Sequence, residues 1–102
     1  MNTTSIDCHK VNSRPEVKKP GDFFIYEADL DRVYIYLIVP GEIETMGFRS
    51  LPIYRGPVTD HPGWHWDGNL DKPTLTPSIF AKGLQGEDIW HGFMTAGRLV
   101  SC

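Results

Sequence analysis

The sequence has 102 residues, of which 40% are hydrophobic and 12% aromatic, and its formal net charge is −3. These values predict one globular domain that folds without a cofactor, and no apolar run reaches the roughly 18 residues that a membrane-spanning helix needs. Residues 21–102 carry six basic and eleven acidic side chains, which argues against a nucleic-acid partner, because binding a phosphate backbone requires a basic surface.

The first 20 residues are polar and charged around two prolines and show no sustained period. They predict a flexible N-terminal arm at residues 1–20, followed by a single β domain at residues 21–102. The arm has no apolar signal-peptide core, so we expect a cytoplasmic protein with free thiols at Cys8 and Cys102. Cys8, His9 and Cys102 lack the ligand spacing of a structural zinc site, and we therefore predict no bound metal.

The next two segments, residues 22–28 and 33–39, are rich in aromatic and β-branched residues and predict an antiparallel hairpin. Glu27, Asp29 and Asp31 alternate like the start of a calcium loop. The glycine and the distant glutamate of that motif are missing, which favours a solvated turn. Residues 42–47 predict a polar loop, and residues 48–54 predict a strand that contains a proline.

The segment at residues 63–80 follows a loop at residues 55–62 that contains His61. In an extended chain Trp64 and Trp66 share one face and His65 points to the other. A turn at residues 67–69 leads to residues 73–80, whose two prolines predict an edge or bulged strand. Its alternation places a row of hydroxyls, Thr74, Thr76 and Ser78, on one side.

Residues 81–87 contain two glycines and predict a flexible loop, either a linker or a lid. Residues 88–95 and 98–102 flank Ala96 and Gly97, a two-residue connection typical of a tight hairpin. No segment combines helix caps with a 3.6-residue period. The sequence therefore predicts an all-β fold, a small antiparallel sandwich or partly open barrel of about six or seven strands.

Several short motifs occur in a fixed order: residues 64–68 (WHWDG), 73–79 (PTLTPSI) and 90–93 (WHGF), followed by Gly97 and Cys102. In this order and spacing the chain resembles a family of small, uncharacterised phage and prophage proteins, often mislabelled ammonia monooxygenase. The resemblance covers about residues 23–102. Some relatives lie in bacterial ubiquitin-like conjugation operons, where they are taken to be peptidases. Many relatives carry a cysteine-containing segment near residues 36–47, which this sequence lacks.

Two functional hypotheses follow. The first is a non-enzymatic phage or prophage accessory protein that acts in the host cytoplasm by binding a host or phage protein. Its candidate binding residues come from the matched motifs: Trp64, His65, Trp66, Asp67, Thr74, Thr76 and Trp90. The three tryptophans would form an exposed platform under this hypothesis, whereas in a small β domain such large side chains more often fill the core.

The second hypothesis is a small serine-type peptidase or hydrolase that uses Ser78 and His91. A serine nucleophile needs a base within hydrogen-bond reach, so the hypothesis requires about 3 Å between Ser78 Oγ and a ring nitrogen of His91. The competing structural interpretation is that the hydroxyls satisfy backbone groups and that His91 is a half-buried, hydrogen-bonded residue. The distance between the two side chains separates these interpretations.

Overall fold

The computed structural model describes residues 5–29, 32–41, 48–56, 63–83 and 85–102. Within these residues the chain is almost entirely β-structure, with one short 3₁₀ turn at Arg14–Glu16. The strands are β1 (Ser5–Asp7), β2 (His9–Lys10), β3 (Asp22–Glu27), β4 (Val33–Leu37), β5 (Arg49–Tyr54), β6 (Trp64–Trp66), β7 (Leu75–Lys82), β8 (Asp88–Thr95) and β9 (Arg98–Ser101). The all-β prediction is confirmed, although the described residues form nine strands rather than six or seven.

The strands form one sheet in the order β1-β9-β8-β7-β6-β5-β4-β3-β2. β1 and β2 occupy the two ends of this order, yet only Cys8 separates them in the chain. The two sheet ends therefore meet, and the sheet is nearly closed into a barrel. The Cys8 N–H donates to the Gly97 carbonyl and the His9 N–H to the Gly21 carbonyl, both at 2.9 Å. Closure of this kind leaves little unpaired strand edge.

The N-terminal segment differs from the predicted flexible arm. β1 runs antiparallel to β9, with Ile6 opposite Leu99, and β2 runs parallel to β3, with His9 opposite Asp22. Residues 5–10 thus belong to the sheet, and Val17 is buried with 6% of its surface exposed. The sequence pattern missed these strands because two or three residues are too few to show an alternation.

The core fills the barrel interior with side chains from alternate strand positions. In β4, Val33, Ile35 and Leu37 are buried, while the tyrosines between them are partly exposed. The largest wholly buried side chains come from most of the strands: Trp66, Phe23, Ile35, Leu37, Ile53, Leu75, Ile79, Met94 and Leu99. Each such aliphatic or aromatic side chain stabilises the fold by roughly 1.5–3 kcal/mol relative to exposure.

The connections follow the sequence prediction in most places. β3 and β4 form the predicted antiparallel hairpin, and β8 and β9 form the final one. Ala96 (φ 48°) and Gly97 (φ 75°) both adopt the left-handed conformation that a two-residue hairpin turn of type I′ requires. β7 has the predicted irregularity, with a register shift between Leu75 and Ile79. It lies between β6 and β8, so it is a bulged strand and not an edge strand.

One predicted loop has different bounds in the structure, and other predicted loops cannot be compared with it. β7 continues to Lys82, so the loop predicted at residues 81–87 begins at Gly83. The predicted loop at residues 42–47 lies outside the described residues, as do Asp31 and Leu84. The same holds for residues 57–62 of the loop predicted at residues 55–62, including His61. No helix among the described residues is long and apolar enough to cross a membrane.

Cys8 lies at the point where the chain passes from one sheet end to the other, and its side chain is partly buried. Burial, together with the negative charge of Asp7, raises the pKa of its thiol from 9.0 to about 12, although a backbone hydrogen bond involving Leu99 acts in the opposite direction. The folded protein therefore keeps this thiol protonated over a pH range in which the unfolded chain loses the proton.

We predict that a variant lacking residues 1–11 melts at least about 10 °C below the full chain, because it loses both strands that close the barrel. A matched control lacking only residues 1–4 retains β1 and β2 and should melt with the full chain. Thermal unfolding followed by circular dichroism measures both. An unchanged melting temperature in the shorter variant would show that closure contributes nothing to stability.

Cys8 also predicts a pH dependence. The stability that its protonated thiol contributes is fully present below about pH 9 and is lost as the pH rises towards 12, because only the unfolded state releases the proton in that range. Urea unfolding at pH 8 and pH 11 should therefore show a larger loss of stability in the wild type than in Cys8→Ala. Equal losses in the two proteins would mean that Cys8 does not titrate differently on folding.

Candidate active site

Ser78 and His91 meet on the outer face of the barrel. Ser78 Oγ lies 3.0 Å from His91 Nε2, a hydrogen-bond distance. Ser78 is half-buried on β7 and His91 is exposed on β8. The structure thus brings together the two residues that the hydrolytic hypothesis requires, at the distance that it requires.

The register between β7 and β8 produces this contact. His91 is directly opposite Phe80, and Ser78 lies two residues before Phe80 on the same strand. Side chains on a diagonal between neighbouring strands come within reach when one of them is long. On the other side of Ser78, the Trp64 indole N–H donates to the Ser78 carbonyl at 3.2 Å, which ties β7 to β6 at the position of the serine.

The His91 ring is held from one face by an aromatic stack. Phe80 and His91 have ring centroids 4.7 Å apart and planes inclined by 21°. Lys82 Nζ lies 4.6 Å from the Phe80 ring centroid and 3.0 Å from a carboxylate oxygen of Asp88. Stacking restricts rotation of the imidazole about its side-chain bonds, although Phe80 itself keeps 48% of its surface exposed.

Cys102 contacts the His91 ring from the other side, at Nδ1. The sequence analysis did not identify Cys102 as a site residue. Its Sγ lies 3.4 Å from His91 Nδ1, and its backbone N–H donates to the His91 carbonyl at 3.1 Å. A signal was present in the sequence: a two-residue turn at Ala96 and Gly97 pairs Thr95 with Arg98, and continued pairing places Cys102 opposite His91. Both ring nitrogens of His91 therefore have a side-chain partner, and neither partner is a carboxylate.

This arrangement supports nucleophilic chemistry. A neutral imidazole whose Nε2 carries no proton accepts the serine proton as the oxygen attacks an electrophilic carbon. In hydrolases of this type a third group usually contacts Nδ1 and orients the ring. Here a cysteine sulfur occupies that position.

The turn after β6 uses two of the predicted binding residues structurally. Asp67 Oδ1 accepts hydrogen bonds from the backbone N–H groups of Asn69 (3.0 Å) and Thr74 (3.2 Å). Thr74 Oγ1 accepts a hydrogen bond from the Ala96 N–H at 2.8 Å. Asp67 thus stabilises the turn after β6, and Thr74 connects that turn to the β8–β9 turn.

The three tryptophans do not form an exposed platform. Trp66 is wholly buried, and its indole N–H donates to the Asn69 carbonyl at 3.0 Å. Trp66 therefore exposes no surface to a partner. Trp64 and Trp90 are half-buried and contact the core. The other two candidate binding residues, His65 and Thr76, are exposed.

The described residues contain no group of three or more His, Cys, Asp or Glu side chains arranged to hold a metal ion. Two surface grooves lie away from the serine. One, of about 490 Å³, has Lys18 and Asp22 in its lining, and the other, of about 420 Å³, is lined largely by the aromatic rings of β3 and β4 and by residues 12–15. Neither includes Ser78 or His91 in its lining.

Comparison with known proteins adds one finding. Residues 10–102 match the family described as BubE, the bacterial ubiquitination-like system serine protease. No curated protein and no solved structure matches the chain. The family match supports the predicted relation to bacterial ubiquitin-like systems. The phage and prophage part of the resemblance stays a prediction.

The Thr74 contact predicts a structural role that is independent of activity. Thr74→Val keeps the shape of the side chain but removes the acceptor for the Ala96 N–H, and we expect it to lower the free energy of unfolding by about 1 kcal/mol. Thr74→Ser retains the hydroxyl and should be close to neutral. Urea unfolding of both variants tests this, and equal stabilities would show that the hydrogen bond contributes nothing.

Proposed function

The chain belongs to the family of bacterial ubiquitination-like system serine proteases (BubE), and we propose that it is a serine-type peptidase with Ser78 as nucleophile and His91 as general base. One observation carries the proposal: the 3.0 Å separation between Ser78 Oγ and His91 Nε2. The family description favours this hypothesis over a non-enzymatic accessory protein.

The proposed reaction follows the chemistry of acyl transfer. His91 Nε2 takes the hydroxyl proton of Ser78 while Oγ bonds to the carbonyl carbon of the scissile peptide. The resulting imidazolium gives that proton to the leaving nitrogen, the C–N bond breaks, and an acyl-serine ester remains. Water then attacks the ester, His91 again accepting and returning a proton, which releases the acid and restores Ser78.

Ser78 lies in the irregular stretch of β7, between Leu75 and Ile79. The ladder pairs of β7 with β6 and β8 include Leu75, Thr76 and Ile79 but not Ser78. The residue before Ser78 is a proline, which has no N–H to donate. We assign the oxyanion hydrogen bond to the backbone N–H of Ser78 itself, because a donor on the nucleophilic residue lies beside the carbon under attack.

The surface around the pair indicates the class of substrate. Phe80 and Phe93 keep 48% and 39% of their surfaces exposed, and both lie on the outward face of the strands that carry Ser78 and His91. Exposed aromatic side chains beside the pair suit a flexible polypeptide segment that places an apolar side chain next to the scissile bond. With the family description, this favours a protein of a bacterial ubiquitination-like system as substrate.

Hydrolysis of an internally quenched fluorescent peptide mixture of randomised sequence tests the proposal. Wild-type protein should hydrolyse the mixture, and Ser78→Ala and His91→Ala should each lower the rate at least about 10³-fold, since nucleophile and base act as a unit. Thr95→Ala is the matched control, because Thr95 carries a hydroxyl on the strand of His91 and is exposed; it should retain wild-type activity.

Two results would contradict the proposal. Full activity in Ser78→Ala would assign the chemistry to another nucleophile. If wild-type protein hydrolyses nothing, and Ser78→Ala only lowers stability by about 1 kcal/mol through a lost hydrogen bond, the non-enzymatic hypothesis is supported instead.

A further inference from the structure

We propose that Cys102 is a positioning residue for His91: its sulfur accepts a hydrogen bond from Nδ1–H and holds the imidazole in the tautomer whose Nε2 takes the Ser78 proton. This inference rests on the proposed function and deepens it, because it assigns a role to a residue of the same site. It concerns the orientation and protonation of the ring and assigns Cys102 no covalent step.

Two contacts place the sulfur beside the ring. Cys102 Sγ lies 3.4 Å from Nδ1, within the range of hydrogen bonds to sulfur. The backbone N–H of Cys102 donates to the His91 carbonyl at 3.1 Å, next to the Gly92–Ser101 pair of the β8–β9 ladder. The position of the sulfur is therefore set by the sheet and not only by the conformation of one side chain.

The tautomer decides whether His91 acts as a base. A neutral imidazole has one protonated and one unprotonated nitrogen. When Nδ1 carries the proton, Nε2 accepts from the Ser78 hydroxyl. When Nε2 carries it, the ring donates to Ser78 Oγ and cannot take its proton. An acceptor at Nδ1 favours the first form, and Cys102 supplies that acceptor.

The two cysteines and the serine differ in ways that favour this assignment. Ser78 Oγ contacts Nε2 at 3.0 Å and Cys102 Sγ contacts Nδ1 at 3.4 Å, so the two side chains lie at different nitrogens of the ring. Ser78 also lies in the bulge without a ladder partner, whereas the backbone of Cys102 is bonded to β8. Cys8 is at the barrel closure, with its pKa raised to about 12 by burial and by Asp7, so it serves as the control cysteine.

The spectroscopic test observes the ring nitrogens without any substrate. Full-length protein is labelled with ¹⁵N-histidine, and the His91 resonances, assigned by their loss in His91→Ala, are compared in wild type, Cys102→Ala and Cys102→Asp. We expect a protonated Nδ1 and an unprotonated Nε2 in the wild type, the same pattern in Cys102→Asp, and a mixture of tautomers in Cys102→Ala.

The kinetic test uses the quenched peptide mixture. Cys102→Ala should lower kcat about 10- to 100-fold with little change in KM, a smaller effect than the roughly 10⁴-fold loss when the orienting carboxylate of a full triad is changed to an amide, since a neutral sulfur is a weaker acceptor. Cys102→Asp should restore kcat, because a carboxylate accepts from Nδ1–H. Cys8→Ala should leave kcat unchanged.

Each remaining outcome decides between the two claims. A protonated Nδ1 and unprotonated Nε2 that persist unchanged in Cys102→Ala overturn the positioning role and leave the peptidase proposal standing. A protonated Nε2 in the wild type overturns both, because that nitrogen cannot then accept the Ser78 proton. Loss of all activity in Cys102→Ala and Cys102→Asp, with activity retained in Ser78→Ala, makes Cys102 the nucleophile and overturns both. A Cys102-dependent tautomer without any hydrolysis supports the positioning of His91 and overturns the proposed function.

Discussion

The backbone ladder of β8 with its two neighbours fixes where the reactive side chains meet. On one side, pairing with β7 places His91 opposite Phe80 and within 3.0 Å of Ser78. On the other side, pairing with β9 brings Cys102 to the second ring nitrogen. A shift of one residue in either ladder would move the side chains of that strand to the opposite face. The site therefore depends on two registers and on the irregularity in β7.

The closed sheet provides the rigidity that such a site needs. Ser78 and His91 lie on interior strands, while residues 5–10 join the two ends of the sheet. The two cysteines lie in different environments. Cys8 is partly buried beside Asp7 and resists ionisation, whereas Cys102 is exposed and contacts a histidine. Cys8 thus lies where the two sheet ends join, and Cys102 lies in the candidate active site.

Local patterns predicted much of the fold. The aromatic and β-branched runs predicted the β3–β4 hairpin, and Ala96 and Gly97 predicted the β8–β9 hairpin. Alternation in the WHW segment correctly separated buried Trp66 from exposed His65. The strands at residues 5–10 were missed, because they exist through pairing with distant partners and are too short to carry a period of their own.

The candidate site could be predicted in part. Ser78 and His91 stood out as a serine and a histidine within the matched motifs, but their separation could not be derived, since sequence does not determine the register shift between Leu75 and Ile79. Cys102 was derivable by extending the hairpin from its turn. Trp66 follows the alternative in which the tryptophans fill the core, because the barrel interior needs a large apolar side chain and Trp66 supplies it.

Covalent capture tests directly whether Ser78 is a nucleophile activated by His91. The full chain is treated with a fluorophosphonate, digested, and mapped by tandem mass spectrometry. We expect one phosphonylated residue, Ser78, and loss of the adduct in His91→Ala, because the reagent reacts with a serine whose proton a neighbouring base removes. An adduct on another hydroxyl, or one on Ser78 that forms equally well without His91, would contradict it.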